Sequence, residues 1–260
     1  MKLIDTHLHL DAPEFAAAPA RFWQQAQAVG VQHAIIPAVS ASGFDTALRL
    51  GRELGLDVAL GLHPLYLAQH HDSHLAVLEA HLAAGDAVAV GECGLDFFVS
   101  ELDPQRQEAL LLAQLKLARR FDLPVILHVR RSQDRVLKCL RQVRVRGGIA
   151  HAFNGSEQQA QAFIDLGFCL GFGGAMTYQG SQRIRRLAAN LPLSALVLET
   201  DGPDIPPEWA QAEVNAPQNL PRIAQVLAQL RQQPLAEVVE ACANNACRVI
   251  PRLRSCTSFN

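Results

Sequence analysis

The sequence has no excess of basic residues. Its 23 lysines and arginines are balanced by 25 aspartates and glutamates, which gives a formal net charge of −2 at pH 7. Non-specific affinity for a long nucleic acid comes from many phosphate contacts and needs a basic surface. The charge balance therefore argues against a long nucleic-acid footprint, and any contact with a polyanion has to come from a local basic patch.

Two further patterns are missing. The six cysteines are scattered and include no CxxC pair, in a chain of 260 residues that is too large to need disulfide staples. No window of 18 residues is apolar and uncharged, and Asp5 stands where a signal peptide would have its apolar run. We therefore expect reduced thiols, no membrane contact and a cytoplasmic location.

Short apolar runs alternate with amphipathic stretches, as is typical of repeated strand–helix units on a parallel sheet. Strands are predicted over 3–7, 33–38, 57–62, 87–91, 124–128, 149–152, 168–172 and 196–200. Helices are predicted over 19–29, 42–54, 73–84, 104–121, 132–145, 156–166, 181–190, 217–231 and 235–249. The pattern predicts an α/β fold, a single (β/α)8 TIM barrel over residues 1–250, followed by a flexible tail over 251–260.

Residues 3–11, LIDTHLHLD, combine an apolar start with a polar alternation. Asp5, His7 and His9 are spaced by two, so in a strand their side chains point to one face. Neutral imidazoles are common ligands of divalent metals, and a neighbouring carboxylate can orient them. The motif suggests a metal site, although HxH also occurs in polar strands.

More polar residues stand at the ends of the predicted strands. His63, Glu92 and Asp201 follow the third, fourth and eighth strands. His128 ends the fifth, and His151 lies at the sixth. Each alone is usually a helix cap or a satisfied polar group, but active sites of this fold are built where its strands end. Four histidines and two acids at one rim are enough ligands for two divalent ions that share a bridging carboxylate.

Six short motifs occur in a characteristic order. They are DTHLHLD at 5–11, GLHP at 61–64, GECGLD at 91–96, LHVRR at 127–131, HAFNGS at 151–156 and ETDGPD at 199–204. Together, and over nearly the whole chain, they resemble the TatD-related metal-dependent hydrolases and deoxyribonucleases. The chain is most similar to the uncharacterised bacterial members of that family. The resemblance implies a (β/α)8 barrel that binds divalent metals.

The resemblance also implies six metal ligands. His7, His9 and Asp201 would hold one divalent cation, His128 and His151 a second, and Glu92 would bridge the two. Mg²⁺, Mn²⁺ and Zn²⁺ all fit this set. The predicted reaction is phosphodiester hydrolysis on DNA by an exonuclease, with Glu92 and Asp201 as catalytic carboxylates and Asp201 as the proton acceptor.

Other polar residues are predicted to contact substrate or solvent. His63 is not needed as a ligand and is expected to contact a phosphate or the leaving group, and Arg130 suits bidentate phosphate contact. A basic group after it is expected to be a solvated helix face and loop, or else a track for a strand end: Arg131, Arg135, Lys138, Arg141, Arg144 and Arg146. The loop cluster of His70, His71 and His74 is expected to be solvated.

Two other functions fit the same residues. A barrel with these metals could instead hydrolyse an amide or a lactone, because fold does not decide the reaction; a bridging lysine after strand four or five would favour this, and none is present. A non-catalytic metal- or ligand-binding barrel is the second alternative, and a retained base such as Asp201 argues against it. The expected partners are nucleic-acid ends or a small phosphoester, and the expected state is a monomer.

Overall fold

A computed structural model describes residues 2–257 of the chain. Within these residues, eight parallel strands pair in chain order. They are Leu3–Asp5 (β1), Val31–Ala38 (β2), Asp57–Leu60 (β3), Ala89–Asp96 (β4), Val125–Arg130 (β5), Gly148–Ala150 (β6), Phe168–Phe172 (β7) and Leu196–Leu198 (β8). Every predicted strand is confirmed, although β4 extends past its predicted end at 91. The strands form a nearly closed TIM barrel.

The barrel closes between β1 and β8 through residues just beyond the two strands. The amide of Thr6 donates to the carbonyl of Leu198 at 3.0 Å, and Leu8 pairs with Gly202 in a parallel bridge. Asp5 strengthens this seam, because its carboxylate accepts hydrogen bonds from the amide of Thr200 at 2.9 Å and from its hydroxyl at 2.5 Å. The first and last strands are thereby joined at the end that carries the histidine motif.

Ten α-helices accompany the strands in residues 2–257. They are Pro19–Ala28 (α1), Phe44–Leu54 (α2), Asp72–Ala84 (α3), Pro104–Arg120 (α4), Gln133–Gln142 (α5), Glu157–Asp165 (α6), Gln182–Asn190 (α7), Leu220–Arg231 (α8), Leu235–Val249 (α9) and Arg254–Thr257 (α10). The first nine agree with the predicted helices to within a few residues. None of the ten is long and apolar enough to cross a bilayer.

Local chemistry sets the helix ends. Asp103 caps α4, since its carboxylate accepts from the amide of Gln105 at 2.8 Å, and Pro104 occupies the first helical position. Ser156 and Gln159 form a reciprocal capping box at the start of α6. At the end of α2, Gly55 takes a left-handed conformation with φ of 70°.

The barrel interior is filled with side chains. One buried residue comes from each strand in turn: Ile4, Ile35, Ala59, Ala89, Ile126, Ile149, Cys169 and Val197. The same cluster includes Ala243, Ala246 and Val249 of α9, which therefore covers the end where the strands begin. The polar residues lie at the opposite, carboxyl end of the barrel, as in other barrels of this type.

The C-terminal segment differs from the expectation of six reduced thiols. Cys247 and Cys256 form a disulfide, whereas Cys93, Cys139, Cys169 and Cys242 are free and buried. The scattered spacing could not reveal this pair, because it depends on α10 folding back under α9. In the segment predicted to be a flexible tail, Leu253 is buried and Arg254–Thr257 are helical, while residues 258–260 lie outside the described residues.

Candidate metal centre

Glu92 lies at the centre of the histidine-rich rim. It lies within β4 and is only 2% exposed. Five imidazoles surround it: His63, His128 and His151 lie 3.1, 3.1 and 2.9 Å from Oε1, and His7 and His9 lie 3.1 and 3.4 Å from Oε2. The structure thus brings together the histidines that the sequence placed at separate strand ends.

Two glycines allow Glu92 to take this position. The register between β4 and β5 shifts around Gly91 and Glu92, and Gly91 and Gly94 have φ values of 148° and 155°. A Cβ at Gly94 would collide with the carbonyl of His128, and one at Gly91 with the carbonyl of Ile126. The GECGLD motif therefore needs both glycines for close approach of the strands, which aims Glu92 into the barrel mouth.

Three groups of side chains have the spacing of a metal site. Each offers ligand atoms within 4.8 Å of one another: His7, His9 and Asp201; His7, Glu92 and His151; His63, Glu92 and His128. Asp201 reaches the first group from the end of β8, where its Oδ1 lies 3.6 Å from His7 Nε2 and 3.7 Å from His9 Nε2. Asp5 does not join any of these groups, since its carboxylate is turned to Thr200.

Hydrogen bonds outside the site show why a cation fits it. The ring nitrogen Nδ1 of His9 lies 3.1 Å from the carbonyl of Pro37, and Nε2 of His128 lies 2.9 Å from the carboxylate of Asp96. Each of these nitrogens must donate, so in a neutral ring the other nitrogen is a bare acceptor. Those acceptors face the oxygens of Glu92, and a cation placed between them would relieve this contact.

The pKa values of Glu92 and His151 also indicate that positive charge is stabilised at this site. Burial disfavours the charge of Glu92, but His63, His151 and His7 outweigh it and hold its pKa well below the usual range. Burial also disfavours the charged form of His151, yet Glu92 and Asp201 raise its pKa to about 10. The donor set and its electrostatics therefore fit divalent cations.

The backbone is strained at this rim. Arg131, Ala152 and Asp201 follow β5, β6 and β8, and their φ values of 54°, 45° and 60° lie in the left-handed region. This region is rarely populated by residues other than glycine and costs roughly 1–3 kcal/mol at each position. Strain of this kind is typical of functional sites, and here it aims Asp201 into the cluster.

His63 is placed as a hydrogen-bond donor. Its Nδ1 accepts the amide of Leu65 at 3.1 Å, so the proton of the neutral ring is on Nε2, which points at Glu92. Burial lowers the pKa of His63 to about 4, in spite of Glu92. Arg130 is half exposed at the same rim, with a guanidinium nitrogen 3.9 Å from Asp96.

One expectation about the loop histidines is wrong. His70 is 3% exposed, and its Nε2 lies 2.9 Å from the carbonyl of His63. His71 is exposed, and His74 is half-buried. The side chain of His70 therefore supports His63, although its neighbours suggested a solvated cluster.

The sequence also contained two carboxylates whose place was not foreseen. Asp96 accepts from His128 and from the amide of Phe98 at 2.8 Å. Glu199 is buried beside His151 and accepts from the amide of Ala152 at 2.6 Å. Burial raises the pKa of Glu199 to about 8, although His151 opposes this. Both acids end apolar strands, which was the signal that singled out Glu92.

Known proteins match nearly the whole chain. The family model described as TatD related DNase matches residues 4–251. The uncharacterised metal-dependent hydrolase YjjV of Escherichia coli K12 is 43% identical over 248 residues, 94% of this chain and 96% of that protein. The crystal structure of this TatD homologue has a TM-score of 0.93 and 42% identity, and covers 96% of this chain and 98% of that one. The 3'-5' ssDNA/RNA exonuclease TatD of Edwardsiella piscicida is 31% identical over 253 residues, 94% of this chain and 97% of that protein.

Proposed function

The chain belongs to the TatD-related DNases, a family with metal-dependent hydrolases among its members, and on this premise we propose that it cleaves phosphodiester bonds at the ends of single-stranded DNA. The observation that carries the proposal is the convergence of five imidazoles on the buried Glu92 at the carboxyl end of the barrel. The exonuclease name of one relative supports the choice of substrate.

Two divalent cations are proposed, with the ligands that the sequence implied. His7, His9 and Asp201 would hold one, His128 and His151 the other, and Glu92 would bridge them. When bound, such ions stabilise negative charge on a phosphoryl oxygen and lower the pKa of water. The orienting contacts of His9 with Pro37 and of His128 with Asp96 keep their inward nitrogens free for this role.

Asp201 is the proposed general base. Burial raises its pKa to about 6, although His151 and His9 oppose the rise. A carboxylate with a pKa near neutrality can take a proton from an attacking water and release it again. Its left-handed backbone holds the carboxylate at the cluster, close to where the water must attack.

His63 and Arg130 are the proposed substrate contacts. The Nε2–H of His63 would donate to a phosphate oxygen or to the leaving oxygen, since the neutral ring keeps its proton on that nitrogen. Arg130 would bind the phosphate through two parallel hydrogen bonds. Because the chain as a whole has no excess of basic residues, a chain end is a better substrate than the middle of a long duplex.

All of these residues come from one chain, so the proposal needs no second subunit. A monomer in the cytoplasm stays our prediction. Light scattering of the metal-loaded protein measures the oligomeric state.

A substrate panel tests the function. Labelled single-stranded and duplex DNA, RNA, p-nitrophenyl phosphodiesters, amides and lactones are each assayed with Mg²⁺, Mn²⁺ and Zn²⁺. We expect single-stranded DNA to be shortened from an end, and Asp201→Asn to abolish this. Amide or lactone turnover that Asp201→Asn abolishes, with every phosphoester left intact, would replace the nuclease by the carbon-centre alternative.

A further inference from the structure

Three side chains form an exposed group beside the metal centre, called here the Arg–Phe cluster: Phe98, Arg130 and Arg131. The guanidinium carbon of Arg130 lies 3.9 Å from the centre of the Phe98 ring, and that of Arg131 lies 4.7 Å from it. Phe98 is 47% exposed, so the face of its ring is open to both side chains. Cation–π attraction holds both guanidinium groups at the ring.

The backbone is bent so that both arginines can reach the same ring. Arg130 is the last residue of β5, and consecutive strand residues point to opposite faces. Arg131 has a φ of 54°, which interrupts this alternation. A left-handed arginine is strained, and strain of this kind persists where the surrounding structure and function require it.

The cluster keeps an excess of positive charge. The carboxylate nearest to Arg130 is Asp96, at 3.9 Å, but Asp96 already accepts from His128 and from the amides of Phe98 and Val99. Among residues 2–257, no carboxylate lies within 4 Å of the guanidinium of Arg131. Two neighbouring cations, with one nearby carboxylate that is already hydrogen-bonded to other groups, favour an external anion.

We propose that Arg131, whose guanidinium is held on the Phe98 ring beside Arg130, binds the internucleotide phosphate next to the one that Arg130 holds for cleavage. This inference rests on the proposed function and deepens it, because it names the side chains that hold the next phosphate of the strand. Asp96 contacts both His128, a proposed metal ligand, and Arg130. The Arg–Phe cluster therefore lies next to the proposed metal site. Planar guanidinium groups held on a ring lose little freedom when they bind a phosphate.

A comparison of two substrates tests the subsite. Wild type, Arg131→Ala and Phe98→Ala are assayed on a p-nitrophenyl phosphodiester, which has one phosphate, and on a single-stranded hexanucleotide. We expect kcat/KM on the hexanucleotide to fall about tenfold further than on the small diester, mainly through KM. The slope of log kcat/KM against log salt should become shallower by about 0.7. Arg52→Ala, at an exposed arginine on α2, is the matched control and should leave kcat/KM on both substrates unchanged.

A binding measurement distinguishes failure of the proposed subsite from failure of the proposed function. In the Asp201→Asn background, fluorescence anisotropy measures the Kd of a labelled hexanucleotide, and Arg131→Ala should raise it about tenfold. An equal loss of kcat/KM on both substrates, or an unchanged Kd in Arg131→Ala, contradicts the proposed subsite. If wild type cleaves no phosphodiester under any metal, the proposed function fails, while a Kd that depends on Arg131 still supports the subsite.

Discussion

The two ends of the barrel use the same residue types in opposite ways. At the amino end, Nε2 of His33 lies 2.7 Å from Asp57, and Arg254 completes the group with its amide at 2.8 Å and its side chain at 3.3 Å. At the carboxyl end, Glu92 is surrounded by five imidazoles. Buried ring nitrogens of His7 and His151 there have no hydrogen-bond partner among residues 2–257.

The difference shows how a buried histidine–carboxylate pair can serve either stability or ligand binding. A closed pair has each polar atom satisfied, and it loses much stability when one partner is removed. A crowded group with acceptors facing one another is destabilised until a cation enters it. The two ends should therefore respond differently to the same kind of substitution.

The largest effect is expected at Glu92. Glu92→Gln keeps the shape of the side chain but removes its charge, so metal content and activity should be lost together. We expect kcat/KM to fall by on the order of 10³-fold, since several kcal/mol of charge stabilisation is removed. Metal analysis after reconstitution and the hexanucleotide assay measure the two losses.

Glu53→Gln is the control for this substitution, because Glu53 is half exposed and pairs with Arg49 on α2. It should retain wild-type metal content and activity. If Glu92→Gln also kept both, the bridging role of Glu92 would be wrong.

The second largest effect is expected at Asp57, at the amino end of the barrel. Asp57→Asn leaves His33 and Arg254 without their shared carboxylate and should lower the free energy of unfolding by about 3 kcal/mol. The folded protein should keep its kcat and its metal, because the substitution lies at the amino end. Urea unfolding and a metal-loaded assay measure these quantities.

Asp122→Asn provides the matched control, because this aspartate is largely exposed and pairs with Arg146. The change in the free energy of unfolding should stay below about 0.5 kcal/mol. A loss of kcat in Asp57→Asn, without a loss of stability, would show that the two ends are not independent.

The carboxyl end could be predicted from the sequence much better than the amino end. Each strand of a parallel barrel delivers its last residues to the same rim, so positions such as Glu92 and Asp201 could be brought together without any coordinates. The order of short motifs then identified the family. Local periodicity was also enough to locate the strands and nine of the helices.

The amino end depends on contacts that no local pattern describes. Asp57 and Arg254 are 197 residues apart, and the disulfide requires α10 to return beneath the barrel. The roles of Asp96 and Glu199 were missed for a related reason. Asp96 orients a histidine and Glu199 lies beside one. The partner of a buried acid depends on how the side chains pack, and the spacing of residues in the sequence does not determine it.

A smaller effect is expected from the disulfide at the amino end. A link between Cys247 and Cys256 closes a short loop, with a sequence separation of 9, so its loss should lower the free energy of unfolding by about 2.6 kcal/mol at most. Leu253 and the Asp57–Arg254 contact remain and limit the loss. Urea unfolding with and without reductant measures the shift, and activity should not change.

Cys256→Ser should match the reduced wild type and should not respond to reductant. Thiol titration of the denatured, unreduced protein should find the four free cysteines. Six reactive thiols would restore the original expectation that all the cysteines are reduced.

The smallest effect is expected at His70, which connects the metal centre to its surroundings. His70 donates from Nε2 to the carbonyl of His63, and a guanidinium nitrogen of Arg106 donates to the carbonyl of His70 at 2.7 Å. The two ends of the segment from His63 to His70 are thus joined by a hydrogen bond, and the amide of His63 donates to the carbonyl of Val39 at 2.9 Å.

His70→Phe keeps a buried ring at this position but removes the hydrogen bond to His63. The imidazole of His63 should then sample more orientations, which lowers kcat/KM about tenfold, as a small displacement of a catalytic group can. Metal content should not change, since His70 belongs to none of the three groups that could hold a metal. His71→Ala, on the exposed neighbour, should stay within about twofold of wild type. Equal losses in both variants would mean that the loop as a whole, and not the contact with His63, supports activity.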